Sequence, residues 1–290
     1  MDAGSPIDAL LPAQMARRAQ AIGKAKAAMP AVQTLVLAVL GGAFIALGAM
    51  FSTVAGAGAG ASALPYGVIR VIVGLTFSLG LVLVVVGGAE LFTGNLLIVM
   101  AWAAGEVSGP RLLRNWLLVF VGNTFGALVT AGLVFASGHY RAGGGAVGLA
   151  QLGIAQVKQS QGATESFVLG ILGNALVCLA IWLSFAARSS ADRILSVVGP
   201  VTAFVAAGFE HCIADLYLVP VALLVRDLAP AAFWAQVGTV PEEFVALSWS
   251  GFVGDLLLPA TLGNVVGGGL LVALVYWFVY LRPAGNVQGT

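Results

Sequence analysis

Six apolar runs, at roughly 32–55, 67–103, 113–137, 166–187, 194–225 and 256–281, dominate this chain of 290 residues. About 20 apolar residues in a helix cross a hydrocarbon core about 30 Å thick. Each run is long enough to do so, which predicts an all-α integral membrane protein with six transmembrane helices. Composition agrees: 60% of residues are hydrophobic and 9% are charged, against about 25% charged in a soluble domain. The net charge of +1 gives no reason to expect a nucleic-acid partner. Cys178 and Cys212 both lie inside apolar runs, so neither a disulfide framework nor a metal site is expected.

Residues 1–31 are polar and alanine-rich, without the apolar core of a signal peptide. Pro12 opens an amphipathic helix that runs to Ala28, with Arg17, Arg18, Lys24 and Lys26 on its polar side. Such a helix suits an anchor at the inner membrane surface, with a gate as the alternative. Counted over the connectors, nine of the 13 basic residues fall on one side of the membrane and four on the other. The rule that the basic side stays inside then puts both termini in the cytoplasm. The chain divides into a cytoplasmic amphipathic helix at 1–31, a six-helix pore domain at 32–282 and a cytoplasmic tail at 283–290.

Polar clusters interrupt the second and fifth runs. One reads Gly87-Gly88-Ala89-Glu90-Leu91-Phe92-Thr93-Gly94-Asn95 and the other Gly208-Phe209-Glu210-His211-Cys212-Ile213-Ala214-Asp215. Superposed, they share Gly-x-Glu, a small residue, Asn or Asp, and Leu, at an offset of 120. Gly122-Asn123-x-x-Gly126 is echoed by Gly263-Asn264-x-x-Gly267, and Leu40-Gly41-Gly42-Ala43 by Leu172-Gly173-Asn174-Ala175. These echoes predict an internal repeat. Three spans per copy is an odd number, so the second copy enters the membrane from the opposite side. In an inverted 3+3 repeat, paired broken helices meet near the midplane and form the substrate site. Irregular backbone at that depth must be buried in protein or line a watery path.

Ionisable groups in a span are functional candidates by default. His211 sits at a break, where imidazole can donate to an anion or exchange a proton with it; packing against a carbonyl or amide is the alternative. Glu90 and Glu210 occupy equivalent positions and suit acceptance of free backbone N–H groups at the next half-helix, a structural role. Thr93 and Asn95 offer small polar groups at a positive helix end, as anion contacts or as helix caps. Phe77, Phe92, Phe204 and Phe209 flank the breaks as packing residues or as dry constrictions. Gly41, Gly42, Gly267, Gly268 and Gly269 permit close helix approach. His139 reads as an ordinary surface residue.

Glu90 through Asn95, and Phe209 through Ala214 ahead of Tyr217 and Pro220, resemble the two signatures of the formate/nitrite transporter family. The resemblance takes in Pro12 to Ala25, Gly173-Asn174, Pro259 to Asn264 and the segment from Tyr276 to Arg282. It implies an aquaporin-like fold, a homopentamer with a pore in each subunit, and conduction of formate, nitrite, hydrosulfide or related weak-acid anions across the cytoplasmic (inner) membrane. It further implies that Thr93 faces His211 and that Asn174 orients the histidine or touches substrate. Leu81, Leu91, Phe92 and Val177 would form an inner constriction, Phe77 and Phe204 an outer one. Lys158 would draw anions to the outer vestibule; by sequence alone it is a charge ahead of the fourth span. Asp215 stands where many members have Asn, and Asp255 lies in a region usually rich in Asn.

The expected function is a channel or transporter for a small monovalent weak acid, formate first, with proton transfer assisted by His211. Nitrite and hydrosulfide are the alternatives on the same fold. A water or glycerol pore is disfavoured because the paired Asn-Pro-Ala boxes are absent. No cofactor is expected, and an enzyme is disfavoured because His211 has no partnered nucleophile or metal-ligand set.

Overall fold

Each of the six apolar runs folds as helix, and no strand occurs among the described residues. The computed structural model describes residues 9–61 and 63–282; the tail expected at 283–290 lies outside the described residues. In chain order the helices are α1 (Pro12–Ala28), α2 (Ala31–Gly56), α3 (Tyr66–Gly87), α4 (Phe92–Ala103), α5 (Gly109–Ala136), α6 (Ala146–Ser160), α7 (Ala163–Ser184), α8 (Ser190–Ala207), α9 (Cys212–Leu228), α10 (Ala231–Val237) and α11 (249–280). Large apolar side chains such as Leu75, Leu117, Phe125, Leu133, Leu195 and Leu262 stand exposed on the outside of the bundle. A soluble protein rarely exposes a continuous apolar surface, so with six helices of spanning length the chain is a multi-pass membrane protein.

The second span is α3 followed by α4, and the fifth is α8 followed by α9. Both breaks begin at a glycine in the left-handed region, Gly88 at φ 84° and Gly208 at φ 77°. A side chain there would be strained, and a left-handed glycine is the common way to stop a helix. Three residues of non-helical backbone follow each glycine before the next helix starts.

Backbone stranded at membrane depth must find partners inside the protein, and the two repeats solve this identically. Glu90 N–H donates to the Leu37 carbonyl at 3.1 Å, and Glu210 N–H to the Leu169 carbonyl at 3.2 Å. Asn123 Nδ2 donates to the carbonyls of Ala38 (2.6 Å) and Glu90 (2.9 Å), while its Oδ1 accepts from Phe92 N–H (2.8 Å). Asn264 Nδ2 donates to Gly170 (2.8 Å) and Glu210 (3.0 Å), and its Oδ1 accepts from Cys212 N–H (3.0 Å). These contacts require the helices to touch. A methyl group at Gly41 would stand 2.1 Å from the Glu90 carbonyl oxygen, and one at Gly173 would stand 2.4 Å from that of Glu210.

Packing follows the same two-fold pattern: α2 lies against α3 and α5, α7 against α8 and α11, and α3 crosses α8 at the pseudo-axis. The repeat is larger than three spans. The surface helix α1 corresponds to α6, and Lys26 to Lys158, at the 132-residue offset that also relates Gly41 to Gly173. Helix α1 is not a free surface anchor. Its Met15, Ala16, Ala19, Gly23 and Ala27 are buried, and a methyl at Gly23 would come within 3.3 Å of Ile98 in α4.

Candidate functional site

The chain's two breaks meet through one side-chain hydrogen bond. His211 caps α9: its Nδ1 accepts the Ala214 N–H at 3.1 Å. A neutral imidazole that uses one nitrogen as acceptor carries its hydrogen on the other, so the ring is the Nε2–H tautomer. Nε2 lies 2.9 Å from Thr93 Oγ1. The Thr93 hydroxyl therefore accepts from the imidazole and keeps its own hydrogen for donation. Thr93 is in the first turn of α4, and its carbonyl accepts from Asn174 Nδ2 at 3.4 Å and Cys178 Sγ at 3.3 Å.

A cavity lies on either side of this pair. The one on the α6 side, about 290 Å³, is lined among others by Arg70, Phe77, Lys158, Phe204, Phe209 and His211. The other, on the α1 side, is about 260 Å³ and is lined by Arg18, Lys26, Glu90, Leu91, Gly94 and Asn95 among others. Helix α3 gives Phe77 to the first and Val84 to the second. Seven residues of helix rise about 10 Å, which sets the thickness of the dry layer between them. Leu81 and Val177 belong to that layer: both are buried and neither lines a cavity.

Both cavities hold a lysine tied to the glutamate of the nearer break. Lys26 Nζ is 2.8 Å from Glu90 Oε1, and Lys158 Nζ bonds Glu210 Oε2 and lies 2.8 Å from Asp215 Oδ1. Burial disfavours the Lys158 ammonium, but the Asp215 and Glu210 carboxylates outweigh that and raise its pKa above the ordinary lysine value. It stays cationic throughout the physiological range. Arg70 completes the rim by donating to the Val205 and Ala206 carbonyls at the end of α8.

The sequence profile of the formate/nitrite transporter family matches residues 13–278. The chain belongs to that family. It is 44% identical to the formate channel FocA of Escherichia coli K12 over 282 residues, covering 97% of this chain and 98% of the relative. To the formate channel FocB of the same strain it is 38% identical, covering 95% and 96%. A solved pentameric formate channel with formate bound superposes with a TM-score of 0.82 at 41% identity, covering 87% of this chain and 98% of that one. A second solved structure, an FNT family ion channel, gives 0.75 at 26% identity, covering 92% and 98%. The inverted six-span fold with broken second and fifth helices is thus the family fold.

Several expected residues gather at this site, and some contacts differ from expectation. Thr93 and His211 meet directly. Asn174 is fully buried nearby, but its Nδ2 donates to the carbonyls of Thr93 and Asn264 (2.8 Å), not to the imidazole. Phe77 and Phe204 stack edge to face with centroids 5.6 Å apart, and Phe204 lies 5.9 Å from the His211 ring. Phe92 turns toward α5, edge-on to Trp116 and Phe120.

Glu90 and Glu210 do not accept the half-helix N–H groups; Asn123 and Asn264 take those, freeing the carboxylates for the lysines. Asn95 is not a helix cap: it donates to Glu90 Oε2 (2.6 Å) and Asn115 Oδ1 (2.9 Å) and accepts from Lys26 (2.9 Å). Lys26, Asn115 and Arg70 were not among the expected site residues. The 132-residue offset that pairs Lys26 with Lys158 was the signal that would have found the first of them.

Proposed function

We propose that this protein conducts formate across the cytoplasmic membrane as one subunit of a homopentamer, with its own pore and with proton transfer through His211. The observation that carries this reading is the Thr93–His211 hydrogen bond in a dry layer between two lysine-bearing cavities. Its relatives FocA and FocB are formate channels, which supports transport without chemical turnover of the cargo.

Arg70 on one side and Arg18 on the other give each cavity a cationic group for an anion, beside lysines (Lys158 and Lys26) whose charge is shared with their carboxylate partners. The layer between them is a different medium. Moving a full charge out of water costs several kcal/mol even after relaxation, whereas a neutral acid escapes most of that. The Thr93 hydroxyl presents its free hydrogen to an arriving carboxylate, and the His211 Nε2–H presents a second donor once it turns from Thr93 Oγ1. If Nδ1 takes a proton from water of the α6-side cavity, the ring can release the one on Nε2 to a formate oxygen and return to neutrality, and the formic acid so formed crosses and gives its proton to water in the other cavity. The ring must give up the Ala214 N–H while Nδ1 carries a hydrogen, so the cap holds it in the resting tautomer. Thr93, Asn174 and Lys158 are read as pathway residues. Leu81, Leu91 and Val177 are read as the constriction on the α1 side, with Phe92 as its wall toward α5. Phe77 and Phe204 form the one on the α6 side. Glu90, Asn95 and Glu210 fix the breaks.

The excess of basic residues on the α1 side supports a cytoplasmic location for that side and for both termini. The substrate test is uptake into liposomes containing the purified protein, with formate, nitrite and hydrosulfide compared at one pH. Saturable formate uptake faster than that of the other two is expected. A protein that passes nitrite or hydrosulfide and leaves formate outside would overturn the assignment.

A further inference from the structure

The two breaks place Gly88 opposite Gly208 and Glu90 opposite Glu210, and their carboxylates differ in number at one aligned position. Five residues after its glutamate the first break has Asn95, and the second has Asp215. Around Lys26 the set is a cation, an anion and a neutral amide, and Asn95 Nδ2 supplies a donor to Glu90 Oε2 at 2.6 Å. Around Lys158 the set is a cation and two carboxyl groups, whose side chains are 1% and 0% exposed. Asp215 has no N–H to give. Its Oδ2 is buried with no hydrogen-bond donor, and its Oδ1 has the ammonium contact.

With both carboxyls ionised, this buried set would hold an uncompensated negative charge and an unsatisfied oxygen, and each is costly. One proton removes both costs, because a protonated carboxyl regains the donor that Asn95 has in the other repeat. Lys158 is 15% exposed to the cavity, so water reaches the set. The charged and titratable groups facing it are Lys158 from α6, Arg70 from α3, and Glu210, His211 and Cys212 from the break. Helix α2 has no ionisable residue, and Arg111 and Arg114 lie in the first turns of α5, remote from α9's outer half. Glu165 on α7 and Asp255 on α11 are exposed, and Asn264 of α11 is neutral.

We infer that Lys158, Glu210 and Asp215 form a proton-binding site beside the α6-side cavity, and that its proton controls how readily an anion reaches His211 from that side. The step is reversible: one proton leaves cavity water for the carboxyl pair, one O–H bond forms, and no other bond changes. Protonated, the set is neutral like its Lys26 counterpart. Deprotonated, it places an extra negative charge in the wall of the cavity that leads to His211, and at an effective dielectric of about 20 a unit charge within about 10 Å of an anion lowers its occupancy about tenfold. The α1 side lacks this control, so the pore is asymmetric in its response to pH.

The control of anion access rests on the transport reading above; the proton site itself does not, and two measurements separate them. In infrared spectra of the lipid-reconstituted protein, wild type at pH 6 should carry a protonated-carboxyl C=O band that fades toward pH 9 and is missing from Asp215→Asn. Solvated carboxyls are ionised throughout that range. In liposomes with the α6 side outward, Asp215→Asn should take up formate about tenfold faster than wild type at external pH 8, with the two converging at pH 6. Asn95→Asp should introduce the same pH dependence on the opposite side. Superposable infrared spectra of wild type and Asp215→Asn would overturn the proton site. Matching pH profiles of those two in liposomes that do transport formate would overturn its control of access. If wild type moved no formate the transport reading would fail, and the infrared comparison would still decide whether the proton is held.

Discussion

A side-chain amide offers two donors and an acceptor, and Asn123 and Asn264 spend all three on backbone that lipid cannot satisfy. Leucine at either position would strand the half-helix N–H and the break carbonyl, whereas the Ala38 and Gly170 carbonyls lie within α2 and α7 and keep their helical partners. Each unsatisfied buried group costs about 1–3 kcal/mol, so Asn123→Leu and Asn264→Leu should each destabilise by about 2 kcal/mol or more. Thermal unfolding in detergent would show two large, similar drops; a small change in either would contradict the pairing. At the pore itself, Thr93→Val keeps the shape of the side chain and removes the hydroxyl. It should slow formate uptake at least tenfold and, by leaving the buried imidazole Nε2–H without its acceptor, cost about 1–3 kcal/mol of stability; wild-type flux in this variant would remove Thr93 from the pathway. His211 and Thr93 were legible as polar residues in apolar runs. The partners of the glutamates were not, because Lys26 and Glu90 lie 64 residues apart, and Lys158 and Glu210 lie 52 apart. Nothing local in either segment announces that pairing.

Among the helices, the breaks work because glycines let neighbours approach their exposed carbonyls. A methyl at Gly41 or Gly173 would fall 2.1 or 2.4 Å from a break carbonyl oxygen. Gly41→Ala and Gly173→Ala should therefore each cost about 1–3 kcal/mol through forced separation and disturb the adjoining break. Gly67→Ala in the first turn of α3 is the control, since nothing lies within 4 Å of the added methyl; its effect should stay within about 1 kcal/mol. Equal melting temperatures for all three variants would contradict the close-approach argument. The spans, both breaks and the inverted repeat were readable from apolar run length and from paired motifs such as Gly122-Asn123 and Gly263-Asn264. The extra helix of each repeat was harder to see. Helix α1 reads as a basic surface helix, whereas α6 is largely apolar, and their kinship shows in the lysine they deliver to corresponding places.

Across the whole molecule, two cavities face each other over a buried apolar layer that includes Leu81 and Val177, with His211 at its edge as the proposed proton donor. The exposed apolar faces leave room for lipid and for neighbouring subunits, and native mass spectrometry of the detergent-solubilised protein should find five chains. A monomer would contradict the proposed assembly. The most direct measurement is formate uptake into liposomes from pH 5 to pH 8, with wild type and His211→Phe side by side. The account predicts saturable uptake that accelerates toward acid in wild type and loses that acceleration, with most of the flux, in the variant. A His211→Phe protein that transports formate at the wild-type rate, with the same response to pH, would contradict proton transfer through the imidazole.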